Sequence, residues 1–236
     1  MAPAPSILEI LGALLLYSYS FYFVLSGLSY VIVFVALRRR LGVTHVPAPR
    51  ESLRAIWTSL GGNLGNVLLT APIHWAILSG RTRVYFSVEE YGVPWLLVSV
   101  ALVLVVTETM IYWIHRALHG RWLYARLHRQ HHAFRRPTPW VSNAFHPLDS
   151  FAQALPYHLC VFLFPLHINV YLGMLGFVMA WTVKIHDRTP VWRSWAINHT
   201  GRHTAHHWYN KYNYGQFFTF WDRLCGTCRE TDGRAG

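Results

Sequence analysis

Long stretches without a charged residue constrain this chain more than any other feature. The first run covers residues 10–37, which is 28 residues, and it ends in Arg38-Arg39-Arg40. A helix needs about 20 apolar residues to cross the hydrocarbon core of a bilayer, so this run is long enough to cross with tilt. No basic segment precedes it and no small-residue cleavage site follows it, which favours a retained transmembrane helix over a signal peptide.

Three further runs continue the pattern. Residues 55–80 contain two asparagines, a histidine and several glycines, so they predict a weaker span, whereas residues 91–107, extended past Glu108, predict a stronger one. Residues 150–183 are too many for one crossing and too few for two full ones. Pro165 divides this run near its middle, which predicts a hairpin of two short helices that returns to the side it left. We therefore expect an all-α integral membrane protein with about four transmembrane helical units.

Arginine and lysine in short loops orient these spans, because both are enriched on the cytoplasmic side of membranes. Arg38-Arg39-Arg40 place the end of the first helix in the cytoplasm. The stretch after the third span agrees, since it contains Arg116, Arg121, Arg126, Arg129, Arg135 and Arg136. Arg81 and Arg83 fall on the opposite side but are outnumbered. The hairpin then brings the segment after Lys184 back, so all histidine-rich segments share the cytoplasmic face, where we expect a helical cap.

Histidine is unusually abundant in this chain. There are 15 histidines against 10 acidic residues, and the formal net charge is +11 although only 13% of residues are charged. A typical soluble domain is about 25% charged, so the composition excludes an ordinary soluble domain, a disordered chain and a disulfide scaffold. The net charge admits nucleic-acid binding, but the arginines adjoin the predicted spans, which favours solvent and lipid headgroups as their partners.

Eight of the histidines occur in three short boxes. The first box is H-x-x-x-H and the other two are H-x-x-H-H; their histidines are His115 and His119, then His128, His131 and His132, then His203, His206 and His207. On a helix, positions i, i+3 and i+4 share a face, so each box projects two or three imidazoles from one side. Neutral imidazole binds zinc, copper, iron and nickel. Eight nitrogens exceed the roughly four to six ligands of one ion, so we predict a dinuclear metal site.

The other seven histidines lie outside the boxes. His186, at the cytoplasmic end of the hairpin, and His146, between the second box and the hairpin, are placed to add a metal ligand or a hydrogen bond to one. His158 and His167 fall within the hairpin, where we expect polar residues that face the bundle interior. No motif supports a function for the remaining three, which are His45, His74 and His199.

The residue types around the boxes limit the chemistry. Neither H-x-x-H-H box has glutamate after its first histidine, unlike the H-E-x-x-H of zinc proteases, so hydrolysis lacks its expected base. The nearby acids are Glu108, Asp149, Asp187 and Asp222, unlike the carboxylate-rich di-iron sites of soluble bundles. Oxygen activation by iron remains, with a membrane lipid to supply inert C–H bonds. The alternative is a non-enzymatic metal-binding or metal-transport protein, but transport predicts ionisable residues deep in several spans rather than at their ends.

The order of the three boxes resembles that of the fatty acid hydroxylase and sterol desaturase superfamily. Within it, residues 112–226 are most similar to the sterol C-5 desaturases (lathosterol oxidases), whereas the first 90 residues are similar only as hydrophobic spans. The segments that carry the similarity are Pro137-Thr-Pro139, Ala144-Phe-His-Pro-Leu-Asp149, Leu155-Pro-Tyr-His158, Trp181-Thr182, Ile185-His-Asp187, His203-Thr-Ala-His-His207, Tyr212-Asn-Tyr-Gly-Gln216 and Trp221-Asp-Arg223.

This resemblance implies one membrane-embedded domain, residues 1–236, with a histidine-box core at residues 112–226. It implies a non-haem di-iron oxidoreductase that uses two iron ions, O2 and electrons from cytochrome b5 or a ferredoxin-type donor. The implied metal ligands are the eight box histidines together with His186, and His146 is a further candidate. The expected reaction is desaturation of a sterol or related lipid, most like C-5 desaturation. Hydroxylation of a fatty-acyl or carotenoid-like lipid is the alternative that stays open.

The same reasoning places the protein as a multi-pass protein in the inner membrane of a bacterium or the endoplasmic reticulum of a eukaryote, with its site at the cytoplasmic face. The expected partners are a sterol or lipid substrate, the membrane and an electron-transfer protein, with no nucleic acid. Tyr209, Tyr212, Tyr214 and Trp221 either line the substrate entrance or anchor the cap at the membrane interface. The chain departs from the sterol C-5 desaturases at Asn143, where that group usually has histidine.

Overall fold

The chain folds mainly into helices. A computed structural model describes residues 5–189 and 194–230. The helices are α1 (Ile7–Tyr30), α2 (Pro49–Leu78), α3 (Gly92–Leu118), α4 (Arg121–Leu123), α5 (Arg129–His132), α6 (Pro147–Leu163), α7 (Ile168–His186), α8 (Thr200–Tyr209) and α9 (Phe220–Leu224). π-Helical turns cover Val31–Ala36 and Tyr124–His128, and 3-10 turns cover Val88–Glu90 and Pro139–Val141. Two short parallel strands, β1 (Val84–Tyr85) and β2 (Leu166–His167), pair with each other. The prediction of a helical protein is therefore confirmed.

Three of the described helical segments are long and apolar enough to cross a membrane. They are Ile7–Ala36, Gly92–Leu118 and Ile168–His186, and the buried shares of their apolar windows are only 22%, 33% and 17%. An apolar helix that its own protein leaves largely uncovered is suited to contact with lipid. The weaker predicted span, α2, is not among the three, and its crossing stays a prediction.

The fourth apolar run folds as a helical hairpin with Pro165 in the turn between α6 and α7, as predicted. Across the turn, His158 Nδ1 lies 2.7 Å from the Tyr171 hydroxyl. The outer ends of both helices return to the histidine boxes, because Asp149 of α6 contacts the second box and His186 of α7 lies beside it. The prediction was of two short helices; α7 has 19 residues and is by itself long and apolar enough to cross a membrane.

Polar side chains of α1 and α2 hold the segment that follows the second box. The Tyr22 hydroxyl donates to the Trp140 carbonyl at 2.8 Å, and the Ser59 hydroxyl donates to the same oxygen at 2.9 Å. The Ser26 hydroxyl donates to the Pro139 carbonyl at 3.0 Å. Buried carbonyls need donors, and these side chains add to the one backbone bond that the Pro139 carbonyl accepts from the Ser142 N–H at 3.2 Å. These polar residues lie within otherwise apolar helices because they hold the segment that follows the second box.

Two glycines of α2 allow the start of α6 to lie directly against it. A Cβ atom at Gly62 would lie 2.8 Å from the carbonyl oxygens of both Asn143 and Phe145. A Cβ atom at Gly65 would overlap the ring of Pro147, whose Cγ would be 2.7 Å away. Any larger side chain at these positions would push α6 away from α2. This close approach fixes the position of α6, which carries Asp149 towards the histidine boxes.

Candidate metal centre

Nine histidines converge in two groups where the box-bearing helices meet. The first group contains His115, His119, His128, His132 and His206, and the second contains His131, His186, His203 and His207. Each residue offers one ring nitrogen, and within each group these nitrogens lie within 4.8 Å of one another. Every member is buried except His119, which is half-buried. The nine residues come from α3, α5, α7, α8, the residue that follows α3 and the π-helical turn before α5.

The second and third boxes are each divided between the two groups. In the second box the pair at i and i+4, His128 and His132, joins the first group while His131 joins the second; in the third box the pair His203 and His207 joins the second group while His206 joins the first. Positions i+3 and i+4 point to either side of position i on a helix. Paired histidines at the end of a box can therefore face two neighbouring metal ions.

Hydrogen bonds on the outer ring nitrogens orient four of these imidazoles. The Nδ1 contacts are His115 to the Tyr214 carbonyl at 2.9 Å, His206 to the Tyr212 carbonyl at 2.7 Å, His186 to the Thr182 carbonyl at 2.6 Å and His128 to Asp149 Oδ2 at 2.7 Å. Carbonyl and carboxylate oxygens only accept, so these contacts assign the proton to Nδ1 in the neutral ring. The Nε2 atom then presents its lone pair to the interior, as a metal ligand requires.

Distances between the inner nitrogens match those of ligands that share an ion. The Nε2–Nε2 separations are 3.1 Å for His128 and His132, 3.1 Å for His186 and His203, 3.2 Å for His203 and His207, and 3.3 Å for His131 and His186. Metal–nitrogen bonds of about 2.1 Å separate neighbouring ligands by about 3.0 Å at 90° and about 3.4 Å in a tetrahedron. The observed separations fall in this range.

Buried nitrogens without a hydrogen bond provide an independent test of fit. Nε2 of His119 and Nε2 of His206 lack a hydrogen-bond partner in the described part of the chain. A buried polar atom without a partner costs about 1–3 kcal/mol. A metal ion held by the first group would satisfy both atoms, so the residues present fit such an ion.

Burial also keeps five of these imidazoles in the form that binds metal. It lowers the pKa of His131, His132, His203, His206 and His207 well below the usual range, and the neighbouring imidazoles lower these pKa values further. These rings are therefore neutral at pH 7 and keep a lone pair for a metal ion.

The buried acids near the centre support its surroundings rather than joining it. Neither group includes a carboxylate among the residues that the structure describes. Glu108 accepts from the backbone N–H groups of Phe217 and Phe218 at distances of 2.7–3.2 Å. Asp149 bonds a histidine ring, and Asp222 accepts from two backbone N–H groups. The site therefore differs from carboxylate-rich di-iron centres, as the sequence suggested.

The structure does not bring His146 into either group. Its Nδ1 accepts from the Leu148 N–H at 3.2 Å and caps the start of α6. His158 contacts Tyr171 in the bundle interior, far along α6 from the boxes. Asn143 donates from Nδ2 to Asn63 Oδ1 at 2.7 Å, a contact between the α6 approach and α2 rather than with the histidines.

Two of the tyrosines that the sequence suggested for the substrate entrance or the membrane interface contact the histidines through their backbone. Tyr212 and Tyr214 supply the carbonyls that orient His206 and His115. The ring of Tyr214 is also buried, with its centroid 5.1 Å from that of His119. Sequence reasoning missed the carbonyl contacts, because every residue type has a carbonyl and no sequence pattern marks one that accepts from a ligand.

Comparison with known proteins agrees with this architecture. The model of the family described as Fatty acid hydroxylase matches residues 100–227. The Delta(7)-sterol 5(6)-desaturase erg32 of Schizosaccharomyces pombe is 50% identical over 168 residues, which cover 71% of this chain and 51% of that protein. Lathosterol oxidase of Mus musculus is 45% identical over 67% of this chain and 55% of its own length. Lathosterol oxidase of Homo sapiens is 39% identical over 93% of this chain and 74% of its own length.

No solved structure matches the chain. The chain spans about half the length of the first two of these relatives. The matched region contains all three boxes and His186, so the similarity covers every residue of both histidine groups. The chain belongs to the fatty acid hydroxylase family, and its curated relatives include sterol C-5 desaturases and lathosterol oxidases.

Proposed function

We propose that this chain is a membrane-bound, O2-dependent di-iron oxidoreductase that introduces a double bond into a sterol. The observation that carries the proposal is the pair of largely buried histidine groups in a chain of this family. The reaction class comes from relatives whose names describe 5(6)-desaturation of Delta(7)-sterols and oxidation of lathosterol. Hydroxylation of a fatty-acyl or carotenoid-like lipid is the second candidate, because the family model carries the name of a hydroxylase.

The nine grouped histidines are the proposed ligands, five for one iron and four for the other. Iron bound there would supply the activation of O2 that removes hydrogen from an unactivated carbon. The chain itself holds the imidazoles in place, orients four of them through acceptors at Nδ1 and excludes water by burial. An all-imidazole site without a carboxylate base favours this chemistry over metal-assisted hydrolysis.

An aromatic cluster between α7 and the loop after α8 supports an apolar, planar substrate. Phe177 and Trp181 lie within about two and a half helical turns before His186. The Phe217 ring packs against both, with centroid separations of 5.3 Å and 4.5 Å. Phe177 is 39% exposed on a helix that is apolar enough to cross a membrane. We propose that a sterol enters from the lipid along this aromatic surface towards the second histidine group.

The proposed membrane arrangement has about four helical units, with α1, α2, α3 and the α6–α7 hairpin in the bilayer. The whole chain, residues 1–236, then forms one domain. The arginines between residues 116 and 136 are all exposed, which supports a cytoplasmic position for the histidine groups. That face would belong to the inner membrane of a bacterium or the endoplasmic reticulum of a eukaryote.

The electron supply follows from the stoichiometry of the proposed reaction. Desaturation removes two hydrogens from the sterol, and complete reduction of O2 to two waters requires two further electrons and two protons. A protein donor of the cytochrome b5 or ferredoxin type would supply these electrons. The exposed arginines around the centre are complementary to an acidic donor.

Metal analysis combined with product analysis tests the proposal. The full chain is purified in detergent under reducing, iron-replete conditions, its iron is quantified, and it is incubated with O2, an electron donor and a panel of Delta(7)-sterols, fatty-acyl lipids and carotenoids. We expect two iron ions per chain and a sterol product that has lost two hydrogens by mass spectrometry. A product that has gained one oxygen would instead support the hydroxylase. Protein without bound iron would refute both candidates, and a zinc-loaded sample serves as the inactive control.

A further inference from the structure

One peptide unit links a buried carboxylate to a ligand of the first histidine group. The peptide between residues 214 and 215 contains the Tyr214 carbonyl, which lies 2.9 Å from His115 Nδ1, and the Gly215 N–H. That N–H donates to Asp222 Oδ2 at 2.8 Å. The two hydrogen bonds therefore lie on opposite sides of the same planar unit, whose carbonyl and N–H cannot rotate independently.

Both carboxylate oxygens of Asp222 accept hydrogen bonds from this part of the chain. Its other oxygen, Oδ1, accepts from the Tyr214 N–H at 2.9 Å and from the Thr227 hydroxyl at 2.7 Å. Only 1% of the residue is exposed, so water does not replace these donors. The carboxylate thus fixes both peptides that flank Tyr214.

Gly215 shows how closely the carboxylate and the peptide fit together. A Cβ atom at this position would lie 2.9 Å from Asp222 Oδ2 and would also overlap the Phe218 carbonyl. Neither neighbour is the free end of a flexible side chain, because the carboxylate is held by three donors. Only glycine leaves the peptide in its present position.

We propose that Asp222 is a positioning residue for the first histidine group and acts on His115 through this peptide. The inference rests on the proposed function for the presence of metal in the group. The carboxylate holds the peptide so that its carbonyl accepts the Nδ1 proton of His115, which directs Nε2 to the metal. Negative charge at the N–H end also polarises the carbonyl, which makes it a stronger acceptor and the imidazole a better ligand.

The second histidine group supplies an internal comparison. Its member His186 is oriented by the Thr182 carbonyl on α7, which has no contact with Asp222. Loss of the Asp222 carboxylate should therefore lower the affinity for the metal ion of the first group and leave the affinity of the second group unchanged. Loss of a residue that is needed only for folding would lower the affinity of both groups.

Metal binding measures this difference without any turnover. Metal-free protein is titrated anaerobically with Co²⁺, whose absorption spectrum reports imidazole ligation, for the wild type, Asp222→Asn and the matched control Asp187→Asn. Asp187 is also buried, but it bonds Lys184 and Thr189 and holds no peptide that orients a ring. Removing an outer hydrogen-bond partner of a metal ligand weakens metal binding about 10–100-fold. Because Asp222 acts through one intervening peptide, we expect Asp222→Asn to lower the affinity for one of the two ions about tenfold.

A second variant covers the case in which Asp222→Asn does not fold. Gly215→Ala leaves the carboxylate intact but displaces the same peptide, so it should weaken the same ion. Equal weakening of both ions, unchanged affinity in both variants, or an identical effect of Asp187→Asn would overturn the positioning role. The proposed function fails separately, and takes this inference with it, if the wild type binds no metal.

Discussion

The bond between Asp149 and His128 offers the most direct test of how the first histidine group is held. Asp149 Oδ2 lies 2.7 Å from His128 Nδ1, and both side chains are fully buried. The other oxygen, Oδ1, accepts from Gln153 Nε2 at 2.8 Å. Asp149→Asn keeps the shape of the side chain and one acceptor for the imidazole, since the Gln153 amide can rotate to donate or accept. Asp149→Ala removes the acceptor altogether.

The size of each effect follows from the type of bond that is lost. A hydrogen bond to a charged group is worth about 1.5–3 kcal/mol and a neutral one about 0.5–1.5 kcal/mol. Asp149→Asn should therefore lower the free energy of metal binding by about 1–1.5 kcal/mol, which is roughly a tenfold loss of affinity. Asp149→Ala should lose about 1.5–3 kcal/mol, or roughly 10–100-fold, because it also leaves a buried N–H without an acceptor.

Anaerobic titration of the metal-free protein with Fe²⁺, in competition with a chelator, measures these affinities. Gln153→Ala is the matched control, because it removes the neighbouring bond to Asp149 but leaves the contact with His128. We expect the affinity to fall in the order wild type, Asp149→Asn, Asp149→Ala, with the control within about threefold of the wild type. The reasoning is refuted if Asp149→Ala binds iron as tightly as the wild type, or if Gln153→Ala weakens binding as much as Asp149→Ala does.

Three further predictions concern the ligands, the helix packing and the metal itself. His131→Ala should abolish sterol turnover while the protein stays in the membrane fraction, whereas His146→Ala, outside both groups, should retain turnover in the same product assay. Gly65→Ala should lower the free energy of unfolding by about 1–3 kcal/mol because its methyl group overlaps Pro147, whereas Gly61→Ala, with open space around it, should raise it by about 0.5–1 kcal/mol; thermal unfolding in detergent compares the two. Removal of iron by a chelator should lower Tm, since metal at 1,000 times its Kd stabilises the folded state by about 4 kcal/mol; an unchanged Tm would contradict a metal held by the folded chain.

The helices could be predicted because their signals are local. The first apolar run ends at Leu37, and the helical segment in the structure ends at Ala36. Pro165 marks the turn of the hairpin, since proline lacks the N–H that a helix interior needs. The contact of Gly65 with Pro147 could not be predicted, because it joins residues far apart in sequence and depends on how α2 and α6 cross.

The candidate site shows the same division between local and non-local information. The boxes predicted that imidazoles would share a helix face, because that depends only on spacing along one helix. The assignment of His131 and His132 to different groups depends on where α8 lies, so the sequence could not predict it. The acceptors could be predicted only where they are side chains: Asp149 was visible as a nearby acid, whereas the Thr182 and Tyr214 carbonyls were not.

The division of the second and third boxes between two groups means that the two groups are not built independently. α5 and α8 each carry ligands of both groups, so a displacement of either helix moves nitrogens in both. The supporting hydrogen bonds are separate, however, because Asp149 and Asp222 act on the first group and Thr182 acts on the second. Each variant of a supporting residue should therefore weaken the binding of one ion and leave the other bound. Gly65→Ala, which displaces the helix that carries Asp149, should weaken binding in the first group. Metal stoichiometry across these variants then shows which of the two ions each supporting contact holds.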